Sequence, residues 1–449
     1  MIRPLSQDNI VALATAPGIG AISIIRISGK KLIPLYKTIT KSKLAPKPRY
    51  SSNKTVYDIN GIPIDNTLIT YFKAPKSFTG EDVIEISSHG GEYIPKKILS
   101  MLYEQNIRQA EPGEFSYRAF INGKIDLLQA EAISGIISSQ TTKNATIQLK
   151  NLNGHLSDSI QVLKKNLLTL LTRIEHELDF SEEEIDFTKI SEINSNLNFL
   201  YNEIKKLLSS ARFGNIVKGG IRVVLCGKPN AGKSTLFNTI SGSTKAIVTD
   251  VPGTTRDILE SWIEIDGIPV CLVDTAGINI TNNYVESIGI NKANYEIENA
   301  DILLILDEKS PKDFYKQYFS TKDENRIIFV NTKSDLGLNS GEGDNILNIS
   351  AKNNIGIKDL LTELSTVLKN HINYNYSKDP VIVSVRQEKL LLKSLSILKN
   401  AKNIVANNFD IIILSSLLRE LSDSIEELLG KITNEDIFEN LFSSFCVGK

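Results

Sequence analysis

The sequence predicts a multidomain fold in which an α+β N-terminal domain is followed by a discontinuous α-helical domain with an α/β domain inserted into it. Two observations support this prediction. The length of 449 residues exceeds what one hydrophobic core normally supports. Apolar residues spaced three and four apart, as in amphipathic helices, occur on both sides of a central segment that alternates strands with helices. Because insertion is tolerated where chain ends lie close together, an interrupted helical domain is the simplest account.

The composition is that of a globular protein, with 41% hydrophobic and 23% charged residues. No apolar run approaches the roughly 20 residues of a membrane-spanning helix, and the first residues lack the pattern of a secretory signal. The spacing of the three cysteines and four histidines predicts neither a disulfide framework nor a zinc site. We therefore expect a cytoplasmic protein with no membrane partner.

Residues 1–123 contain the β-like runs NIVALAT, AISIIRIS, NTLITYF and DVIEISS, and one periodic helix near Tyr93–Gln105. Turns with Gly and Pro separate them, which predicts an α+β domain. Residues 41–54 are rich in Pro, Ser and Lys and are interpreted as an exposed loop. The net charge of the chain is −1, but residues 1–123 hold 16 Lys/Arg against 10 Asp/Glu, so a polyanionic partner has to use a local patch.

The remaining boundaries follow from changes in apolar period. Amphipathic helical patterns fill residues 124–215 and return in residues 373–449, which we interpret as the two parts of the helical domain. Residues 216–372 alternate strands and helices and form the inserted α/β domain. The second helical part ends in Cys-x-Gly-Lys.

A phosphate-binding loop follows the apolar run IRVVLC. Residues 227–234 read GKPNAGKS and fit the pattern G-x-x-x-x-G-K-[ST] between a predicted strand and a predicted helix. The glycines allow backbone N–H groups to surround phosphates, Lys233 places a charge on the β- and γ-phosphate oxygens, and the Ser234 hydroxyl is a Mg²⁺ ligand. The sequence therefore predicts a nucleotide site with Mg²⁺ at this loop.

Four further motifs complete the nucleotide site. Thr255, in a Gly-containing loop, is predicted to complete the Mg²⁺ shell, and the strand PVCLVD ends at Asp274, a direct or indirect magnesium carboxylate, before Gly277. Asp335 in Thr332-Lys333-Ser334-Asp335 is predicted to accept hydrogen bonds from guanine, with Ser350-Ala351-Lys352 near its O6. The predicted GTP contacts are Asn230, Ala231, Gly232, Lys233, Ser234, Thr235, Thr249, Asp250, Val251, Pro252, Gly253, Thr254, Thr255, Asp274, Thr275, Ala276, Gly277, Thr332, Lys333, Ser334, Asp335, Ser350, Ala351 and Lys352.

This ordered series over about 125 residues resembles the Ras-like GTPase fold. It departs from the usual pattern at Thr332, where an asparagine is usual. A threonine keeps one hydroxyl but loses the paired donor and acceptor of an amide, so we expect weaker guanine affinity with selectivity kept by Asp335.

The residue after Gly277 is Ile278, where Ras-type enzymes have a glutamine that orients the attacking water. Isoleucine cannot bind water, so the predicted catalytic residues are Glu286, acting through the water, together with Lys233 and Asn230. The alternative for Glu286 is an ordinary glutamate in the first turn of a helix. No arginine finger is present in this loop, so a monovalent cation held by Asn230 and the oxygens of residues 249–254 could meet the transition-state charge.

Four segments outside the nucleotide motifs resemble one family. The segments are DNIVALATAPGIGAISIIRISG, SFTGEDVIEISSHGG, PGEFSYRAFINGKIDLLQAEAI and the terminal FSSFCVGK, and the inner segments IVTDVPGTTRD, DTAGI and ESIGI also fit. Together they resemble the family of GTPases that modify the wobble uridine of tRNA (MnmE, also called TrmE). The match covers both ends and the middle of the chain.

The resemblance implies a tRNA-modifying GTPase that forms a homodimer through its N-terminal domain. It also implies a folate-derived one-carbon donor, 5-formyl- or 5,10-methylene-tetrahydrofolate, bound at Arg26, Glu85, Lys124 and Lys449. Potassium-dependent pairing of the GTPase domains belongs to the family, and its cation positions fall on Asn230, Thr249, Val251 and Thr254, with Mg²⁺ on Ser234 and Thr255. The family works with an FAD-bound partner, MnmG (GidA), in a heterotetramer that adds an aminomethyl or carboxymethylaminomethyl group to carbon 5 of the wobble uridine.

Two alternatives stay open. Cys446 is either a nucleophile whose pKa is depressed beside Lys449 or a small apolar residue that packs after two phenylalanines. The whole chain is alternatively a ribosome-assembly or regulatory GTPase without one-carbon chemistry, although it has a single phosphate loop and no G-x-x-G RNA-binding domain at its C-terminus.

Overall fold

The structure is a computed structural model. It describes residues 8–179, 188–244, 259–275, 295–319, 324–337, 346–372 and 380–430, and the single positions Phe442, Phe445 and Gly448.

The N-terminal region folds as a six-stranded sheet with strand order β3-β4-β5-β2-β1-β6, antiparallel apart from the β1–β6 pair. Its strands are β1 Ile10–Leu13, β2 Ile22–Gly29, β3 Ser52–Tyr57, β4 Pro63–Phe72, β5 Asp82–His89 and β6 Arg108–Gln109. Its helices are α1 Leu32–Thr40, α2 Tyr93–Glu104 and α3 Glu114–Ile121.

Period-two alternation places alternate side chains of each strand on opposite faces. Ile25 and Ile27 of β2 are fully buried with Ile84 and Ile86 of β5, on the face where α1 and α2 pack. The opposite face of the same strands carries Arg26 and Glu85, which lie opposite each other in the register. The alternation that builds the core therefore also presents these two charges together.

The predicted α+β class is confirmed, and strands β1, β2, β4 and β5 fall on the four predicted runs. One helix was expected, whereas the structure has three among the described residues. Helix α1 was not predicted because it contains Pro34, and proline normally indicates against a helix. Pro34 lies in the first helical turn, where its missing N–H breaks no helical hydrogen bond. Leu32, Tyr36 and Ile39 of α1 are buried.

The central region folds as a second six-stranded sheet with strand order β12-β11-β10-β7-β9-β8, parallel except for the antiparallel β8–β9 pair. Its strands are β7 Ile221–Gly227, β8 Leu259–Ile265, β9 Ile268–Asp274, β10 Ile302–Asp307, β11 Ile327–Asn331 and β12 Ile346–Asn348. Its helices are α9 Lys233–Ser243, α10 Pro311–Tyr318 and α11 Ile357–Ile372.

Apolar clusters cover both faces of this sheet, as expected for a parallel sheet with helices on either side. The carboxyl ends of its parallel strands share one edge, which is where such sheets bind ligands. Gly227, Asp274, Asp307 and Asn331 are the last residues of β7, β9, β10 and β11 and therefore lie along this edge.

The remaining helices precede and follow this sheet in sequence. They are α4 Leu127–Ile137, α5 Thr142–Leu152, α6 His155–Asp179, α7 Ile190–Ser209, α8 Ala211–Gly219, α12 Val385–Asn407 and α13 Ile411–Leu429. Helix α7 packs against α12, and Ser210 Oγ accepts a 3.0 Å hydrogen bond from Ile382 N. The Asn151 amide likewise donates to Val381 O at 3.0 Å. Helical sequence from both sides of the insertion thus packs together, as predicted.

The chain divides into two compact units. One contains residues 1–134, 152–164 and 422–449, and the other contains residues 135–151 and 165–421. The domain boundaries drawn from the sequence stay predictions. In the part of the chain that the structure describes, no helix has both the length and the apolar character that crossing a bilayer requires.

Candidate functional site

The loop between β7 and α9 has the backbone shape of a phosphate cradle. Asn230 and Gly232 adopt left-handed conformations with φ of 63° and 85°, which turn successive N–H groups inward. Helix α9 starts at Lys233, and no side chain caps its N-terminus. A Cβ atom on Gly227 would lie 2.3 Å from Leu306 O, so only glycine fits there. The loop therefore places backbone N–H groups at a helix N-terminus that no side chain caps, where anions bind.

Lys233 is the charge at the centre of this loop. Its side chain is 5% exposed, and its Nζ donates to Gly227 O at 3.0 Å and to Lys228 O at 2.9 Å. Burial lowers the pKa of the Lys233 ammonium, because desolvation penalises the charged form. A buried cation whose hydrogen bonds to the described residues go to carbonyl oxygens is suited to a phosphate ligand.

Ser234 and Asp274 form the second part of the site. The Ser234 hydroxyl donates a 2.6 Å hydrogen bond to Asp274 Oδ2. The other oxygen of the carboxylate, Oδ1, is buried and has no hydrogen-bond partner among the described residues. An oxygen pair with an unsatisfied buried acceptor has the chemistry of a Mg²⁺ site, since this ion prefers hydroxyl, carboxylate and phosphate oxygens. The residues present therefore fit the implied nucleotide and its metal.

Neighbouring contacts fix this edge of the sheet. Thr275 donates through Oγ1 to Leu225 O at 2.7 Å, which ties the end of β9 to β7. Thr235, which follows Ser234 in α9, is exposed, and Ala231 in the loop is buried. The structure thus brings together the predicted contacts on the loop, on α9 and at the end of β9.

The predicted guanine contacts lie at the ends of β11 and β12. Asp335 is exposed, and the hydrogen bond from the Ser350 side chain lowers the pKa of its carboxyl group. Ser334 N donates to Ile349 O at 3.1 Å, which joins the two loops. An ionised, exposed carboxylate of this kind can accept hydrogen bonds from a base.

Thr332 lies between the guanine contacts and the phosphate loop. It is 5% exposed, its N–H donates to Asp307 O at 3.0 Å, and a Cβ atom on Gly232 would lie 3.8 Å from its own Cβ. Its hydroxyl has no hydrogen-bond partner among the described residues. Lys333, whose φ is 54°, pairs with Glu308. Thr239 Oγ1 of α9 donates to Ala351 O at 3.2 Å, and Lys352 is exposed beside it.

Sequence reasoning missed Asp307, the last residue of β10. Although burial acts to raise it, hydrogen bonds from Ser310 N and Lys309 N and from the Lys228 ammonium hold the pKa of Asp307 below its usual value. Lys228 Nζ lies 3.1 Å from Asp307 Oδ2, so the phosphate loop is tied to a third strand. A terminal Asp after the apolar run ILLIL was the available signal.

Arg222 of β7 was missed as well. Its Nε donates to Glu296 Oε2 at 2.6 Å and its Nη2 to Glu260 Oε1 at 2.5 Å. Glu260 follows the first predicted switch motif, which contains Thr254 and Thr255, and Glu296 follows the second, which contains Gly277. Arg222 thereby links the described residues that come after both switch motifs, a relationship that no local sequence signal reveals.

A second cluster lies on the N-terminal sheet. Arg26 donates from Nε to Glu85 Oε1 at 2.9 Å and from Nη1 to Gly448 O at 3.0 Å. The side chains of Arg26 and Glu85 are 20% and 27% exposed, respectively. Glu85 Oε2 has no hydrogen-bond partner among the described residues. The Arg26 guanidinium lies 6.0 Å from the ring centre of Phe78 and 5.9 Å from that of Phe115. Phe78, which is 38% exposed, was not predicted as a site residue.

Lys124 is placed differently from the rest of this cluster. Its Nζ donates to Pro75 O at 3.1 Å, on the β4–β5 loop that also holds Phe78. Gly448 lies against the end of β1, because a Cβ atom on it would be 2.7 Å from Leu13 O. A carboxylate with a free oxygen, a guanidinium and a partly exposed ring are suited to a flat heterocycle with adjacent N–H donors.

The other predicted site residues lie outside the described part of the chain. They are Thr249, Asp250, Val251, Pro252, Gly253, Thr254, Thr255, Ala276, Gly277, Ile278, Glu286, Cys446 and Lys449.

Comparisons with known proteins cover almost the whole chain. Residues 9–124 match the family described as GTP-binding protein TrmE N-terminus, and residues 127–446 match the MnmE helical domain. The tRNA modification GTPase MnmE of Aquifex aeolicus is 37% identical over 453 residues, which cover 99% of this chain and 100% of that protein. The proteins of the same name from Caldicellulosiruptor saccharolyticus and Pasteurella multocida are 40% and 38% identical, covering 98% and 99% of this chain and 99% and 100% of theirs.

Proposed function

Because this chain belongs to the MnmE family of tRNA modification GTPases, we propose that it binds and hydrolyses GTP while it modifies the wobble uridine of tRNA. The observation that supports this most directly is the Ser234–Asp274 pair beside the buried Lys233. A cation for phosphates and an oxygen pair for Mg²⁺ stand side by side at the carboxyl edge of the sheet.

In the proposed hydrolysis the oxygen of a water molecule bonds to the γ-phosphorus while the bond to the β–γ bridging oxygen breaks, releasing GDP and phosphate. Lys233 binds the β- and γ-phosphate oxygens, and backbone N–H groups of the loop surround them. Ser234 and Thr255 would hold Mg²⁺, with Asp274 as a direct or indirect carboxylate, and the ion would offset negative charge on the phosphates. Glu286 acts through the water, in the role of the glutamine that Ile278 replaces.

Selectivity for guanine is assigned to Asp335. The Ser350 hydrogen bond lowers the pKa of this carboxyl group, and the ionised carboxylate would accept from the base N1–H and 2-amino groups. Thr332, with Lys333, Ser334, Ala351 and Lys352, lines the same side of the nucleotide. Asn230, Thr249, Val251 and Thr254 would hold a potassium ion, which would supply positive charge against the charge that develops as the phosphate bond breaks. This ion would also make hydrolysis depend on pairing of two GTPase domains.

The folate donor is proposed to bind at the N-terminal cluster. Glu85 would accept from adjacent N–H groups of the pterin, and Arg26, Lys124 and Lys449 would contact the anionic glutamate tail or the ring carbonyl. The Arg26 contacts with Glu85 and Gly448 support this assignment, since they gather three distant parts of the chain at one place. Cys446 lies two residues before Gly448 in sequence and keeps both of its interpretations.

The active enzyme is proposed to be a homodimer that binds FAD-bound MnmG and forms a heterotetramer with it. The folate supplies one carbon, and the product carries an aminomethyl or carboxymethylaminomethyl group at carbon 5 of the wobble uridine. GTP hydrolysis changes the conformation of the assembly and so controls when the folate and flavin sites act on tRNA.

The test is mass spectrometry of tRNA nucleosides from cells that lack this protein, with the wild-type chain or Glu286→Ala restored. The modified wobble uridines should vanish on deletion, return with the wild type and fail to return with Glu286→Ala. Equal modification by a variant shown to be inactive in GTP hydrolysis would refute the coupling. Unchanged nucleosides on deletion, together with altered ribosomal particle profiles, would instead favour the ribosome-assembly alternative.

A further inference from the structure

Residues 9–57 contain nine Lys and Arg residues and no Asp or Glu. The whole chain has 52 acidic residues in 449, so a stretch of this length would hold about six at the average frequency. The protein has a net charge of only −1, which means that this segment is a local concentration of positive charge and not a general excess.

The fold adds two more cations to this segment. Arg49 N donates to Tyr71 O at 2.7 Å, and Arg49 Nη2 donates to Lys76 O at 3.2 Å. The loop after α1 therefore lies beside the β4–β5 loop, which carries Lys73 and Lys76. We call the resulting set the basic loop surface and define it as Lys41, Lys43, Lys47, Arg49, Lys73 and Lys76.

All six side chains are exposed, and none forms an ion pair with a carboxylate of the described residues. The nearby acids make other contacts. Asp58 Oδ1 accepts from Asn60 N and Ile62 N, and Asp82 Oδ1 accepts from Ala74 N. A single unpaired lysine on a surface has little effect by itself. Six exposed cations together create a positive potential that attracts a polyanion.

Aromatic residues stand among these cations. Tyr50 is 61% exposed, and Lys47 Nζ lies 5.5 Å from its ring centre, while Lys41 Nζ lies 4.1 Å from the ring centre of Tyr57. Lysines interleaved with an exposed ring are the combination that binds nucleic acid, since lysine contacts phosphate and the ring stacks on an unpaired base. An acidic protein or a lipid headgroup would use the charges but would have no need of the exposed Tyr50 ring.

We propose that the basic loop surface is a docking site for tRNA, in which its lysines contact backbone phosphates and Tyr50 stacks on an unpaired base. This inference rests on the proposed function for the identity of the RNA. It assigns a binding role to residues 41–50, which the sequence alone indicated only as an exposed loop, and to residues 73–76.

The charge test uses the full-length protein and an unmodified tRNA transcript, with affinity measured between about 50 and 200 mM KCl. The variant is Lys43→Gln/Lys47→Gln/Lys76→Gln. The control, Lys165→Gln/Lys358→Gln/Lys399→Gln, removes the same charge from three exposed lysines elsewhere. Three lost phosphate contacts should lower the slope of log affinity against log salt by about 2 and weaken binding at least tenfold, while the control matches the wild type. Equal slopes for the two variants would overturn the proposal.

The stacking test uses Tyr50→Ala and Tyr50→Phe. Loss of the ring should weaken tRNA binding about tenfold at every salt concentration without changing the slope, and the phenylalanine variant should bind like the wild type. If the lysine variant instead loses binding to vesicles of anionic lipid and keeps its affinity for tRNA, the surface is a membrane contact and the proposal fails. If nucleoside modification depends on the protein while neither set of variants alters tRNA binding, the proposed function stands and the docking site lies elsewhere.

Discussion

The Ser234 hydroxyl donates a 2.6 Å hydrogen bond to Asp274 Oδ2, although the two residues are 40 positions apart on different elements. Ser234 lies in the first turn of α9, and Asp274 ends β9. The parallel pairing of β7 with β9 brings the two elements to the same edge of the sheet, with Leu225 opposite Asp274. This contact is the point at which the phosphate loop meets the strand that leads into the DTAG motif.

Replacing Ser234 by Ala should reduce GTP hydrolysis roughly 100-fold, equivalent to about 2.7 kcal/mol, because Mg²⁺ loses a ligand and Asp274 loses its donor. Steady-state phosphate release measures the effect. Ser243→Ala is the matched control, since Ser243 is an exposed serine near the end of the same helix. Equal losses in both variants would mean that the helix and not the hydroxyl is responsible.

Thr332→Asn should tighten GDP binding about tenfold, because an amide adds a donor and an acceptor where the threonine hydroxyl is unsatisfied. Thr332→Val should leave the affinity within about twofold, since it removes only that hydroxyl. Titration with a fluorescent GDP analogue measures both. A large loss of affinity in the valine variant would show that the hydroxyl contacts the nucleotide.

Arg222→Met should lower the free energy of unfolding by roughly 2 kcal/mol, because it leaves Glu296, whose side chain is 10% exposed, without its partner. The double variant Arg222→Met/Glu296→Gln should recover part of this loss. Urea unfolding of the four members of the cycle gives the coupling. Strict additivity of the two substitutions would contradict the described ion pair.

Glu114→Gln should destabilise the protein by roughly 3 kcal/mol near pH 7, because Glu114 is 4% exposed and pairs with both Arg108 and Arg118. Burial acts to raise the pKa of Glu114, but the hydrogen bond from Arg108 and the others at this site lower it overall. Because the pKa of Glu114 is lower in the folded protein than in the unfolded chain, its ionised form stabilises the fold at pH values above the unfolded-state pKa, near about 4.3. This stabilisation is lost as the pH falls through the folded-state pKa.

The difference in unfolding free energy between the wild type and Glu114→Gln should therefore shrink as the pH is lowered below about 4. Glu92→Gln is the control, because Glu92 pairs with Lys96 at an exposed site and should change stability by less than about 0.5 kcal/mol. A difference between wild type and Glu114→Gln that does not vary with pH would contradict the ionised network.

Arg26→Gln should weaken binding of a reduced folate at least tenfold, because it removes the guanidinium that contacts both Glu85 and Gly448. Calorimetric titration with 5-formyl-tetrahydrofolate measures the affinity. Arg419→Gln breaks an exposed ion pair with Glu175 at 2.7 Å and should leave folate binding unchanged. Unaltered binding in Arg26→Gln would move the folate site away from this cluster.

Much of this protein could be predicted from its sequence because the informative residues are close together in it. The apolar period of β2 and β5, the pattern GKPNAGKS after β7 and the strand ending at Asp274 each depend on local backbone geometry. Such signals gave the fold class, the phosphate loop and the interrupted helical domain. Helix α1 was missed because Pro34 is a signal against helix everywhere except in the first turn.

The tertiary structure decided which distant residues meet. Arg222 pairs with Glu260 and Glu296, Arg26 reaches Gly448 across 422 positions, and Arg49 lies beside Lys76. These contacts join residues that are far apart in sequence and that no local motif links, so strand order and loop packing decide which side chains meet. The local sequence therefore determined the elements and the nucleotide motifs, whereas the folded chain determined the ion pairs between them and the surface on which the basic residues collect.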